Sequence, residues 1–222
     1  MKIVLCGIDQ VLDCGGNGVC SVIVENQTLL YDIVSDIAMQ LQGLEGRTVL
    51  SENNKVLRMD RYAEQIMQFI PFEMNRKGII NKINAELQKI AVDAEHYLQT
   101  SEMLVQWERY CMNLEFELTG DIDFTKINIE SLIRAAGVEI TDDYDNLAEK
   151  LIDYFQIVET YDVRKLFILV NLRSYMPDDM TQQFMRMILD RGYQILMLEG
   201  AEHPRLLYEK RYIIDIDHCI IC

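Results

Sequence analysis

Residues 165–171, Lys165-Leu-Phe-Ile-Leu-Val-Asn171, decide the fold. Five apolar side chains in a row leave no polar face, so the segment reads as a strand covered on both sides, as in a parallel sheet flanked by helices. The neighbouring pattern agrees. Upstream, Leu147, Leu151, Ile152 and Phe155 recur at helical spacing. Downstream, Pro177-Asp-Asp-Met opens a helix with proline in its first turn and acids at the positive end of its dipole, and Arg191-Gly192 closes it. Tyr193–Leu198 and Arg211–Ile216 are the next strands. Strand, helix and strand with short connections predict a parallel crossover.

The N-terminal part adds to this sheet. Val19-Cys-Ser-Val-Ile-Val24 is a β-branched strand. Asn26 is placed to cap a helix carrying Leu30, Ile33, Val34, Ile37 and Leu41, which ends at Gly43 and Gly46. Thr48–Leu50 and Ile66–Ile70 are further strand candidates, although the residues from Tyr62 to Phe69 also suit a helix. From Arg76 to Asn113 the character changes: there is no proline, and Ile79, Ile80, Ile83, Leu87 and Ile90 keep helical spacing. A helical hairpin is expected, broken near Gln99-Thr100-Ser101 with a Thr or Ser capping its second arm. The fold class is α/β with an inserted helical piece.

The chain has 222 residues, half of them hydrophobic, and a net charge of −15. That suits one large domain, or a domain with a smaller extension. No apolar run is long enough to span a membrane. Asp9 and Asp13 interrupt the N-terminal apolar run too early for a signal peptide, so a cytoplasmic location is expected. The six cysteines are scattered; Cys219 and Cys222 form the one close pair, and no zinc-ligand spacing is present. Reduced thiols are expected.

Chemistry-bearing motifs are scarce. Cys14-Gly-Gly-Asn-Gly18 lacks the lysine of a phosphate-binding loop and precedes a strand, so it reads as a hairpin turn. Asn171 stands at the end of the best buried strand, where an NTPase often places an acid. Arg173, Ser174 and Tyr175 follow at the sheet's carboxyl end, a binding position in α/β folds, without forming a known catalytic set. His96, His203 and His218 have no nucleophile context. These observations point away from an enzyme.

Charge is unevenly placed. Between Glu115 and Asp162 there are thirteen acids against Lys126, Arg134 and Lys150. The preceding segment holds Arg76, Lys77, Lys82 and Lys89, and the seven-residue spacing of Lys82 and Lys89 puts both on one helix face. Such a face is either solvated or a track for phosphates. Asp121 and Asp123 point the same way if residues 120–124 are extended, and Glu117 is close enough in sequence to join them. They are either loop acids beside a helix start that Asn128 caps, or part of a site for a hard cation such as calcium. The Gly and late Glu of an EF-hand loop are absent.

The ordered set of segments resembles a known family. It comprises Ile8-Asp9, Gly15-Gly16, Val22-Ile-Val-Glu25, Ile79-Ile-Asn-Lys-Ile-Asn-Ala-Glu86, Ile127-Asn-Ile-Glu-Ser-Leu-Ile-Arg-Ala-Ala-Gly-Val138, Lys165–Asn171, Gln194–Glu199 and Tyr212–Asp217. This order is similar to that of the Csn-two family, the CRISPR-associated accessory proteins of type II-A systems, and the resemblance covers nearly the whole chain.

The resemblance implies an α/β head over residues 1–71 and 141–222, with a parallel-rich sheet like that of a P-loop ATPase lacking its nucleotide motif, and an α-helical leg over residues 72–140. It implies a homotetrameric ring that takes double-stranded DNA ends through a basic hole, is stabilised by calcium, and acts in spacer acquisition beside the CRISPR integrase proteins and the effector nuclease, with no catalysis of its own. It places calcium at Glu117, Asp121 and Asp123 with Glu130, and DNA at Arg76, Lys77, Lys82, Lys89, Lys126 and Arg134. An acidic outer surface with a basic inner wall would reconcile the net charge with phosphate binding. The alternatives are a divergent P-loop-like nucleotide-binding protein or ATPase, and a scaffold whose acidic face takes basic partner proteins.

Overall fold

The computed structural model describes residues 1–16, 18–120, 122–124, 127–162 and 164–221. The chain separates into two compact units, Met1–Glu73 with Asp142–Cys222, and Met74–Thr141. No described helix is long and apolar enough to cross a membrane.

The first unit contains two sheets. Strands β1 (Lys2–Val4), β2 (Leu12–Asp13), β4 (Val49–Glu52) and β5 (Lys55–Leu57) form an antiparallel sheet in the order β2-β1-β4-β5. The larger sheet holds β3 (Val19–Val24), β6 (Ala63–Ile66), β7 (Leu166–Val170), β8 (Gln194–Glu199), β9 (Glu209–Ile214) and β10 (Ile220–Ile221), in the order β10-β9-β3-β8-β7-β6. Only the β9–β10 pairing is antiparallel. Every residue of β3 and β7 is buried, as their unbroken apolar runs predict.

Helix α1 (Gln27–Leu41) begins where the Asn26 side chain accepts from the Thr28 and Leu29 N–H groups, at 3.0 and 3.1 Å. Its buried Leu29, Ile33 and Ile37 join one face of the parallel sheet, with Val22, Val24, Ile168, Leu196 and Ile214, in a core shared with Ile3, Leu12 and Leu50 of the small sheet. Within α1, Asp36 accepts from the Arg47 and Thr48 N–H groups at 2.7 and 2.8 Å and fixes the turn that leads into β4. A single helical turn, α2 (Met59–Tyr62), leads directly into β6. The strand therefore covers Ala63–Ile66 rather than the expected Ile66–Ile70, and residues 67–70 are neither helix nor strand.

The sequence reading of Cys14–Gly18 as a hairpin turn is not what forms. Strands β2 and β3 lie in different sheets, so the glycines carry the chain from one sheet to the other; Asn17 itself lies outside the described residues.

Of the helices following the insertion, α6 (Leu147–Tyr161) is capped by Asn146, whose side chain accepts from the Glu149 N–H at 3.0 Å. Phe155 of α6 stacks on Phe167 of β7 with ring centroids 4.1 Å apart, and Phe184 and Tyr193 pack around the pair. Helix α7 (Asp178–Arg191) has Pro177 as its N-cap and ends at Gly192, whose positive φ is the left-handed cap that glycine adopts at little cost.

The second unit consists of α3 (Lys77–Ala91), α4 (Tyr97–Glu115) and α5 (Ile129–Ala136), with α5 packed on α3. The helical break falls at residues 92–96, and Gln99-Thr100-Ser101 lies inside α4. Asp93 ends the first arm: its carboxylate accepts from the Glu95 and His96 N–H groups at 3.0 and 2.9 Å, a local turn that competes with the helix. The two ends of the unit are clasped by one side chain. The Asn75 amide donates to Ile140 O at 3.0 Å and accepts from the Ile140 N–H at 2.7 Å.

Candidate nucleic-acid interface and cation-binding loop

Helix α3 turns Gly78, Asn81, Lys82, Ala85 and Lys89 outward along one stripe, while Ile79 is buried. Its amphipathic spacing forces this, because residues three, four and seven apart share a face. Lys82 and Lys89 are two turns apart, about 10 Å along the axis at 1.5 Å per residue. Ala85 between the two lysines, and Gly78 one turn before Lys82, leave the backbone approachable. Lys89 is held by Glu86 at 2.8 Å, an exposed pair whose contribution to stability is small and which a phosphate can replace.

The other predicted cations are less alike. Lys77 opens α3 and is exposed; Arg76 is its half-buried N-cap residue. Arg134, in the last turn of α5, is exposed and pairs with Glu130 at 2.9 Å. Lys126 lies outside the described residues. Lys82 and Lys89 are thus the predicted pair brought onto one open face.

Helix α4 ends in acid. Glu115 is its last residue, Glu117 follows in an exposed turn, and no basic residue occupies the final turn. Carboxylates at the negative end of a helix dipole are disfavoured unless a cation offsets them. Asp123 is exposed further along the same connection, after Gly120 has turned the chain at φ +112°. These oxygens have the donor chemistry of a hard cation. Glu130 is the exception, being engaged by Arg134, and the connection ends where Asn128 caps α5 by accepting from the Ser131 N–H at 2.9 Å. Asp121 lies outside the described residues, and among the described residues no three His, Cys, Asp or Glu side chains converge.

At the carboxyl end of the parallel sheet, protein atoms fill the space beside Gly200. A Cβ there would meet Leu30 at 2.9 Å and the Asn171 side chain at 3.4 Å. Asn171, in the left-handed conformation at φ 57°, accepts from the Gly200 N–H at 2.8 Å.

Sequence reasoning missed the buried carboxylates Glu199 and Glu209, both of which touch the chain around Arg173. Arg173 itself was noted as a candidate binding residue, yet its side chain is buried. A charged residue ending an apolar run gives no sign that a later segment will cover it.

The chain matches the family described as "CRISPR-associated protein (Cas_Csn2)" over residues 40–218. The CRISPR-associated protein Csn2 of Streptococcus agalactiae is 26% identical over 164 residues, spanning 70% of this chain and 70% of its own length.

Proposed function

The chain belongs to the CRISPR-associated Csn2 family, and from that membership we propose that it is a non-catalytic, calcium-dependent, ring-forming binder of double-stranded DNA ends that serves spacer acquisition. The observation that carries the reading is the open Lys82–Lys89 stripe of α3 in a chain of net charge −15. A cation pair at that spacing neutralises phosphates without reading bases, so binding is indifferent to sequence and weakens steeply with salt.

Two further features support the assembly. Helix α4 buries only Cys111 among its residues, and it exposes Leu98, Trp107 and Met112, with Phe116 just beyond it 86% exposed. Apolar surface on that scale is covered in stable proteins by another chain, and four copies closing into a ring would cover it. The acidic end of α4 would take the calcium, with Glu117, Asp121 and Asp123 as its ligands and Glu130 joining only if Arg134 releases it. The first unit is the P-loop-like head without a nucleotide motif, and the helical unit is the leg. The protein would work in the cytoplasm beside the integrase proteins and the effector nuclease.

The test compares linear and closed circular DNA of equal length and sequence with calcium present. Threading over an end predicts that the linear form binds far more tightly. Equal affinity for both forms overturns the end-binding reading.

A further inference from the structure

In α/β folds ligands bind outside the carboxyl edge of the parallel strands, and in this protein a run of contacts joins the loops at that edge. The Asn26 side-chain amide, two residues past β3, donates to Ile216 O, two residues past β9, at 3.2 Å. Gly200, just past β8, lies against Leu30 of α1 and donates its N–H to Asn171, just past β7. Tyr175, in the turn after Asn171, packs on Phe69, three residues past β6, with ring centroids 5.6 Å apart. The loops of five neighbouring strands, β9-β3-β8-β7-β6, thus make one continuous face. With strands about 4.8 Å apart, that face is about 19 Å long.

Its exposed side chains are apolar. Ile70 and Ile216 are 72% and 69% exposed, and Met67 and Tyr175 stand out beside Ile70 and Phe69. Leu30 and Asn171 occupy the space beside Gly200, so the middle of the edge offers contact area rather than a crevice.

Its charge has one sign. Glu25, Asp32, Asp179 and Asp217 are exposed along it. Residues 25–32, 67–70, 171–179, 200–203 and 215–218 hold no exposed lysine or arginine, since Arg173 is buried. Arg205 follows on the connection that leaves this edge for the start of β9. Helices α1 and α7 begin here, and their positive ends would draw an anion. The carboxylates reverse that sign. They repel nucleic acid, and they repel a second copy of a chain that itself carries −15.

We propose that the carboxyl edge of the parallel sheet is a docking face for a basic protein segment, about six residues in extended form, that carries both cations and apolar side chains. Ile70, Tyr175 and Ile216 supply apolar area to bury, and the surrounding carboxylates speed encounter with a basic partner and reject acidic ones. The face is separate from the α3 stripe, and the proposal does not rest on the DNA reading.

The test measures binding of three fluorescently labelled octapeptides to the full chain by anisotropy, without DNA. One alternates lysine with leucine, one lysine with serine, and one glutamate with leucine. The lysine–leucine peptide is expected to bind roughly tenfold more tightly than either of the others, the worth of one buried leucine. Ile70→Ser with Ile216→Ser should remove that advantage. Val56→Ser with Leu207→Ser, at positions 76% and 75% exposed but away from this edge, should keep it. All four positions are exposed, so both variants should retain the wild-type urea midpoint. The proposal is overturned if the lysine–leucine peptide does not bind, if either other peptide matches it, or if the two double variants behave alike. No DNA is present, so the result stands apart from that of the linear-versus-circular comparison.

Discussion

The side-chain carbonyl of Asn171 accepts the Gly200 backbone N–H at 2.8 Å and so ties together the ends of β7 and β8, two neighbouring parallel strands. The position where an NTPase often keeps an acid serves here as a structural bracket. Asn171→Ala removes that bond and forces alanine to φ 57°, so a loss of about 1–3 kcal/mol is expected in urea unfolding. Asn171→Gly keeps the backbone at ease and should cost less than Asn171→Ala.

Asp36 gives the fold an acid-labile joint. Burial raises its carboxyl, but the Thr48 side chain, the Arg47 and Thr48 N–H groups and the Gln40 amide together hold it below its usual 3.8. A depressed carboxyl contributes stability above its unfolded value, and that contribution is lost as pH falls through the folded one. The gap in urea midpoint between wild type and Asp36→Asn should therefore be widest at pH 6 and should narrow by pH 3. A gap that does not vary with pH would contradict this account.

If α3 tracks phosphates, Lys82→Ala with Lys89→Ala should weaken DNA binding equally for all sequences. It should also flatten the dependence of log affinity on log salt by about two units, near 0.9 per lost phosphate contact. An unchanged slope would place the DNA elsewhere on the chain.

If the end of α4 takes calcium as proposed, Glu117→Gln with Asp123→Asn should reduce calcium uptake in titration calorimetry and lower the mass found by light scattering in calcium, as a chelator should for the wild type. A variant with undiminished uptake and mass would remove these two side chains from the ligand set.

Trp107, the single tryptophan, lies on α4 and is 42% exposed. Its emission should shift to shorter wavelength as protein concentration drives assembly through α4. Emission that stays constant over the whole concentration range would count against assembly through α4.

Much of the architecture was legible because the strands of a covered parallel sheet announce themselves. β3, β7 and β8 are apolar runs, and Asn26, Asn128 and Gly192 mark helix ends by chemistry specific to those positions. The helical break was misplaced because apolar spacing runs on past it, and Asp93 stops the helix through a side-chain turn that periodicity does not register. Strands β1, β2 and β5, of two or three residues each, are shorter than any pattern can resolve. The Cys14–Gly18 connection reads as a hairpin turn because glycine marks a turn without saying which sheet the next strand joins. The α3 cations could be placed on one face from spacing alone, whereas the burial of Glu199 and Glu209 depends on contacts from segments distant in sequence, such as the Arg173 N–H on Glu199.

The Asn75–Ile140 clasp also bears on how the helical unit can change size. With both ends of the insertion pinned by one amide, the chain between them is a closed loop, and doubling its length costs only roughly 0.6 kcal/mol more in closure entropy. Turns can therefore be gained or lost in α3 and α4 while β6 and β7 keep their register, Ala63 against Leu166. If the proposed ring forms through the helical unit, indels confined to this one segment would change the ring while the sheet stays untouched.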